Sequence, residues 1–247
     1  MALDLRDYWQ RIMYAGCYER REGWLIERLL RRGDTFIDGG AHIGYHACRA
    51  ASVVASGHVF AFEPNPDTAV SLRAQVDINP HLPLSVEPMA LGEVSGSVAF
   101  SKAPPVDHGW MIGMSCVGVV PGWTPCQVPA TTLDQFVDSR GIRRIQLCKM
   151  DLEGSEAAAL RGARRSLESG LLESLIVEVN NRTRDNIDAE TQKYPFDFLV
   201  QFTPFWRLLK RIRDVQPMAS WGKTDVLLAR GSCASRWRSI GWRRWLV

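Results

Sequence analysis

The chain has 247 residues, 46% of them hydrophobic and 23% charged, which is ordinary for a soluble globular protein and suits one large α/β domain or two small ones. No run approaches the roughly 18 apolar residues of a membrane span, and residues 1–10 carry Asp4, Arg6 and Asp7 in place of an apolar signal region, so a cytoplasmic protein is expected. The net charge of +3 is uneven: residues 201–247 hold ten Lys/Arg against two acids, +8, which leaves −5 for the first 200.

In chain order, residues 3–32 read as helical, with Leu25, Ile26, Leu29 and Leu30 at helical spacing and Glu27 and the arginines outside. Gly33-Asp34 closes that segment and 35–38 reads as the first strand. Residues 42–55 suit a helix packed closely on a sheet through Ala47, Ala50 and Ala51, and 58–63 a second strand. Pro64-Asn65-Pro66 breaks the chain before a helix over 67–78, which Asn79-Pro80 stops. A third strand is predicted over 84–89 and a short hairpin extension over 97–100. Residues 102–129 contain five prolines, two tryptophans and little periodicity, with Trp110, Met111, Ile112, Met114 and Trp123 too apolar for plain disorder, so this stretch reads as a substrate-side loop. A short helix from Thr132, a strand over 145–151, a helix over 153–168, a buried strand over 175–179 and a last strand over 225–229 complete the pattern; residues 185–215 are mixed. Strand–helix alternation predicts a doubly wound α/β domain. The expected layout is an N-terminal helical segment packed on the core (1–33), a Rossmann-like domain (34–230) with a lid or substrate loop (101–130), and a basic, Trp-rich tail (231–247).

The six cysteines, at 17, 48, 116, 126, 148 and 233, never form a C-x-x-C pair, so neither a zinc site nor a disulfide framework is expected. Reduced thiols are predicted, although Cys116 and Cys126 flank one loop and could pair.

The chemistry concentrates at strand ends. Asp38 ends the first strand and is followed by Gly39-Gly40-Ala41-His42-Ile43-Gly44, a turn whose glycines let backbone N–H groups at a helix start approach a ligand. Glu63 ends the second strand, placed to accept both hydroxyl hydrogens of a ribose. Gly39-x-Ala41-x-x-Gly44 comes close to a dinucleotide fingerprint, so an NAD-dependent oxidoreductase is one reading. An acid directly before the glycines repels a pyrophosphate, whereas S-adenosylmethionine, with its ammonium, sulfonium and ribose diol, fits the two acids better.

The motifs resemble those of the FkbM family of S-adenosylmethionine-dependent methyltransferases. Asp38-Gly39-Gly40-Ala41-His42-Ile43-Gly44-Tyr45 is similar to the family's first motif and Phe62-Glu63-Pro64-Asn65-Pro66 to its second. Met89-Ala90-Leu91-Gly92 is similar to the third segment, and Lys149-Met150-Asp151-Leu152-Glu153-Gly154-Ser155-Glu156 is the most telling match. Gly16-Cys17-Tyr18-Glu19, Thr132-Leu133-Asp134 and Val177-Glu178-Val179 also resemble family positions. One departure is His42, where the family more often has asparagine; a tolerated substitution in the turn is the expected reading, and titration near neutrality with a pH-dependent cofactor affinity is the alternative.

The resemblance implies a Rossmann-like, mostly parallel seven-stranded sheet of the class I methyltransferase type and methyl transfer to a hydroxyl of a sugar, glycolipid or secondary metabolite. The expected cofactor site comprises Asp38, Gly39, Gly40, Ala41, His42, Gly44, Glu63, Pro64, Asn65, Met89 and Ala90. Asp151 is the expected general base, with Lys149 tuning it or holding substrate and Glu178 facing substrate. A divalent metal such as magnesium is not expected, although Asp151, Glu178 and Asn181 are oxygen ligands of a suitable kind. His46 and His108 stand alone; a core or surface role is expected for His46, and His108, in the loop, is an alternative base. The partner is a small-molecule or carbohydrate acceptor. Arg236-Trp237-Arg238 and Trp242-Arg243-Arg244-Trp245 interleave basic and aromatic residues, which suits peripheral membrane contact or a terminal helix folded onto the domain, while nucleic acid is disfavoured because no binding module accompanies them. The non-enzyme rival is a cofactor-binding or membrane-associated scaffold without turnover.

Overall fold

The computed structural model describes residues 1–104, 115–196, 198–201, 210–212 and 224–239. Helices α1 (Tyr8–Tyr14) and α2 (Arg20–Leu29) lead into β1 (Thr35–Gly39), α3 (Tyr45–Val54), β2 (His58–Phe62), α4 (Pro66–Asp77) and β3 (Leu84–Glu87). Then come β4 (Ala90–Leu91), β5 (Gly96–Lys102), β6 (Ser115–Val117), β7 (Thr124–Thr131) and α5 (Leu133–Arg140). The chain continues through β8 (Leu147–Met150), α6 (Glu156–Gly162), α7 (Arg164–Glu168), β9 (Ser174–Val179) and α8 (Arg184–Thr191). It ends with β10 (Phe198–Gln201), β11 (Lys210–Ile212), β12 (Thr224–Ala229) and α9 (Gly231–Ser239).

The large sheet runs β11-β10-β12-β9-β8-β1-β2-β3. Strands β3, β2, β1, β8 and β9 are parallel, whereas β12 is antiparallel to β9 and β10 to β12. This is the expected seven-stranded, Rossmann-like arrangement with one addition, the short edge strand β11. The order reverses between β1 and β8, the switch point at whose carboxyl ends ligands bind in open α/β sheets.

Period-two alternation assigns the strand residues to two layers. Phe36, Val59, Ala61, Leu147, Ile176 and Leu227 pack with α2 and α3, while Ile37, Phe60, Phe62, Cys148, Met150, Leu175 and Val177 pack against α5, α6 and α7. Asp38 and Lys149 follow Ile37 and Cys148 by one residue, so both belong to the α3 side, and they are direct partners across β1 and β8. A buried acid and a buried base are thereby set opposite each other by sheet register.

Four segments differ from the sequence reading. The predicted helix over 3–32 is two helices, broken where Gly16 takes a φ of 66°. The helix over 153–168 starts later and is likewise split after Gly162, where a Cβ would lie 2.0 Å from the Gly92 carbonyl oxygen. The strand over 84–89 ends at Glu87, and Ala90–Leu91 passes into a second sheet, β4-β7-β5-β6. Finally, the loop over 102–129 is substantially strand: β7 pairs with β5 from Gly96↔Ala130 to Lys102↔Thr124. Pro125 and Pro129 hid this strand in the sequence. They are tolerated because β7 is paired on its other side only at Ala130 and Thr131, leaving the proline nitrogens an open edge. Trp110, Met111, Ile112, Met114 and His108 lie outside the described residues. Cys116 and Cys126 are free thiols.

No helix among the described residues is long and apolar enough to cross a membrane. In the tail, α9 folds onto α2: Ala234 is fully buried, and Arg236 pairs with Asp34 while donating to the Leu29 carbonyl at 2.8 Å. Trp242, Arg243, Arg244 and Trp245 lie outside the described residues. Asp34 also accepts the Arg31 N–H at 2.7 Å, so Arg236→Ala leaves a half-satisfied acid. This substitution is expected to cost about 1–3 kcal/mol in urea unfolding; an unchanged midpoint would show that α9 does not anchor there.

Candidate active site

At the carboxyl ends of β1, β2 and β8 the loops enclose a cleft of about 260 Å³. Its floor is the turn after β1. Gly40 has a φ of 76° and sits so close to β8 that a Cβ there would lie 1.9 Å from the Asp151 carbonyl oxygen. The N–H groups of Gly40 and Ala41 are tied to the Phe62 carbonyl at 3.0 and 2.9 Å. Gly44, φ 86°, starts α3 against Leu72, whose Cδ1 would be 2.5 Å from an added Cβ. His42 lines the cleft in a left-handed conformation, φ 50°. Asparagine and histidine tolerate that region better than most side chains, which gives a conformational reason for their exchange here. Burial moves the His42 imidazole below its ordinary pKa of 6.5. This direction favours the neutral imidazole.

Glu63 is 6% exposed and bridges the two loops, accepting the His42 N–H at 2.9 Å and the Asn65 N–H at 2.8 Å. Burial pushes its carboxyl up to about 7, with those two N–H groups pulling the other way. A folded-state pKa above the ordinary 4.5 means that the folded protein holds a proton the unfolded chain has lost, so stability falls as pH rises from about 4.5 to 7. Glu63→Gln is expected to remove up to about 3 kcal/mol of this fall, read as a flatter dependence of Tm on pH across that window. Superimposable wild-type and variant curves would place the titration elsewhere.

Asp38 is 1% exposed, and neither carboxylate oxygen has a hydrogen-bond partner among the described residues. Burial raises its pKa, Lys149 and His46 opposing. Lys149, 3% exposed, donates to Asp151 Oδ2 at 3.0 Å. Burial would strip its charge, but Asp151, Glu19 and Asp38 outweigh it and hold the ammonium well above the ordinary lysine pKa. The Asp151 N–H is bonded to the Gly39 carbonyl at 3.1 Å, which locks the end of β8 to that of β1.

Of the residues singled out from sequence, the cleft brings together Asp38, Gly40, Ala41, His42, Glu63, Pro64, Met89, Ala90, Lys149 and Asp151. Gly39, Gly44, Asn65 and Glu178 do not line it. Gly39 and Gly44 shape the turn, and Asn65 caps α4 by accepting the Asp67 N–H at 3.1 Å. Glu178 is buried on β9, where its carboxylate meets others: Asp151, Glu156 and Glu178 each offer an oxygen within 4.8 Å of the other two. Asn181 does not join that trio, since its amide oxygen is on an exposed turn and accepts from Arg184 at 2.9 Å. All three members have other interactions: Lys149 holds Asp151, the N–H groups of Leu152 and Gly154 hold Glu156, and Glu178 is engaged as well.

Sequence reasoning missed the wall supplied by the N-terminal helices and α3. Trp9, Met13, Tyr18, Glu19 and Tyr45 line the cleft, and His46, expected to play a core or surface role, lines it too, with Nε2 2.7 Å from Glu19 Oε2. Ser115, Cys116 and Val117 of β6 approach from the second sheet.

The cleft thus holds a buried Asp38 carboxylate that has no hydrogen-bond partner among the described residues. The family described as the FkbM methyltransferase domain matches residues 38–209, more than half of the chain. A curated relative, hexuronic acid methyltransferase AglP of Haloferax volcanii, is 31% identical over 149 residues, which are 60% of this chain and 56% of that protein, so the chain spans little more than half of that relative. Among solved structures, an rRNA methylase from Streptococcus thermophilus superposes with a TM-score of 0.51 at 9% identity, over 85% of this chain and 94% of that one. A putative rRNA methylase from Clostridium thermocellum gives a TM-score of 0.51 at 12% identity, over 85% and 93%. At such identities these two likenesses establish the fold. The motif match from Asp38 onward and the sheet beneath it agree: the chain belongs to the FkbM methyltransferase family.

Proposed function

We propose that the protein is an S-adenosylmethionine-dependent O-methyltransferase whose acceptor is a hydroxyl of a carbohydrate. The observation that carries the reading is the Asp38 carboxylate, buried beside the Gly40 turn and without a hydrogen-bond partner among the described residues. Desolvating a carboxylate without a partner costs several kcal/mol, a penalty that a cationic ligand end offsets. Family membership supplies the methyl chemistry, and the likeness to a hexuronic acid methyltransferase points to a sugar acceptor.

When bound, S-adenosylmethionine supplies an electrophilic methyl group on its sulfonium. Asp38 would hold the ammonium end, and Glu63, held by two backbone N–H groups, would accept from the ribose hydroxyls. Gly40, Ala41, Met89 and Ala90 line the cleft in which the ligand would lie. Asp151 would take the proton of the acceptor hydroxyl, and Lys149 fixes the Asp151 carboxylate by its 3.0 Å hydrogen bond. Most of the acceleration in such an in-line displacement comes from positioning.

Calorimetric titration with S-adenosylhomocysteine, with NAD in parallel, tests the cofactor. Micromolar binding of the first and none of the second supports the reading; the reverse result discards it in favour of a nicotinamide enzyme. Methyl transfer from labelled S-adenosylmethionine to glycosides then tests the acceptor class.

A further inference from the structure

Glu19 stands at the junction of α1 and α2, outside the residues matched to the family, in a left-handed conformation with a φ of 36°. Such a conformation costs a non-glycine residue of order 1 kcal/mol and persists only where the surroundings hold it. What holds it is charge. Glu19 Oε2 lies 2.7 Å from His46 Nε2 and 3.9 Å from Lys149 Nζ. Burial disfavours the carboxylate, yet Lys149 and His46 prevail and keep its pKa well below the ordinary range. The Glu19 side chain is 29% exposed whereas those of Lys149 and His46 are 4% and 5% exposed, so Glu19 forms the solvent-side edge of the array. The other ionisable groups around Lys149 are Asp151 at 3.0 Å, Asp38 in register across the sheet, and the Tyr18 phenol.

A fully buried ammonium is an awkward neighbour for a sulfonium. Like charges sharing a low-dielectric cleft repel by several-fold more than they would in water. Asp151 covers one side of the Lys149 charge, and Glu19 is the second carboxylate against it. S-Adenosylmethionine and S-adenosylhomocysteine share the ribose and ammonium contacts and differ by the sulfonium charge. We infer that Glu19 is a charge-positioning residue: it screens Lys149 from the sulfonium, so that the site binds the methyl donor in preference to the spent thioether. This inference rests on the methyltransferase reading. It gives the N-terminal helices, which lie outside the matched domain, a part in cofactor discrimination.

The test is calorimetric titration of the full chain with S-adenosylmethionine and S-adenosylhomocysteine separately, with Tm measured for each variant. Glu19→Gln is expected to weaken the donor about tenfold while weakening the product severalfold less. Glu19→Asp is expected to recover part of the preference. In Glu19→Gln/Lys149→Met, where the uncovered ammonium is also gone, the donor-to-product affinity ratio is expected to return to within about threefold of wild type. Equal losses for both ligands in Glu19→Gln, or a ratio that the second substitution does not restore, would overturn the inference and leave Glu19 a packing residue. Wild-type protein that binds neither ligand would instead overturn the methyltransferase reading, and this inference with it.

Discussion

Asp151→Asn is expected to lower turnover by about two to four orders of magnitude, the range for a positioned general base, while S-adenosylhomocysteine affinity changes by less than about threefold. Asparagine keeps the shape, and its amide oxygen can still accept from Lys149, so the 3.0 Å contact has a neutral substitute. What is lost is the capacity to take up a proton. The substitution also removes one of the charges that compensate a lysine only 3% exposed, so some loss of Tm accompanies it. Affinity and turnover therefore need to be measured on folded protein below that Tm. Activity equal to wild type would remove Asp151 as the base. Parallel loss of turnover and cofactor affinity would make it a structural cap of the β8 end. Cofactor binding in both proteins with no turnover on any acceptor would favour a scaffold.

Gly40→Ala is expected to be the most damaging single substitution in the first motif. The added Cβ would meet the Asp151 backbone oxygen at 1.9 Å, and a φ of 76° is already unfavourable for alanine. A backbone atom cannot swing aside as a side-chain tip can, so β1 and β8 must separate at the end that carries Asp38 and Asp151. The combined strain and overpacking amount to about 3 kcal/mol or more, a fall in Tm of roughly 6–12 °C for a domain of this size. Cofactor binding should be lost with it. Gly92→Ala is the control, because a Cβ there meets only the Val94 oxygen, at 4.0 Å. If both variants lose Tm equally, the close approach at Gly40 is not what the turn depends on.

Much of the cleft was legible in the sequence because it lies where strands end. An apolar run closed by an acid and a turn fixes the position of Asp38, Glu63 and Asp151 within a residue, and the motifs beginning at those acids lead to the family that the chain matches. Lys149 was legible by parity, two residues before Asp151. Glu19 and His46 were not. Helical periodicity around Leu25 and Leu29 reports which face is packed, not which side chain from a neighbouring junction reaches Lys149. Only the Gly16-Cys17-Tyr18-Glu19 resemblance marked the place. The trio of acids shows the same limit: Glu156 joins Asp151 and Glu178 because the start of α6 folds back to give its carboxylate the N–H groups of Leu152 and Gly154, a contact set by three-dimensional closure. Strand β7 was obscured for another reason, since its prolines mimic a loop while its backbone uses an open edge.

The second sheet has a consequence for how such an enzyme can change its clientele. Its small apolar core, Ala90, Phe100, Val128 and Ala130, is separate from the two layers that stabilise the main sheet. Ser115, Cys116 and Val117 reach the cleft from this side, whereas Asp38, Glu63 and Asp151 reach it from the main sheet. The two walls thus rest on different apolar clusters, joined at β4, where Ala90 packs in the second sheet and Leu91 in the main core. Substitutions at Ser115, Cys116 and Val117 are therefore expected to reshape that wall while leaving the main-sheet acids in place, read as an unchanged affinity for S-adenosylhomocysteine.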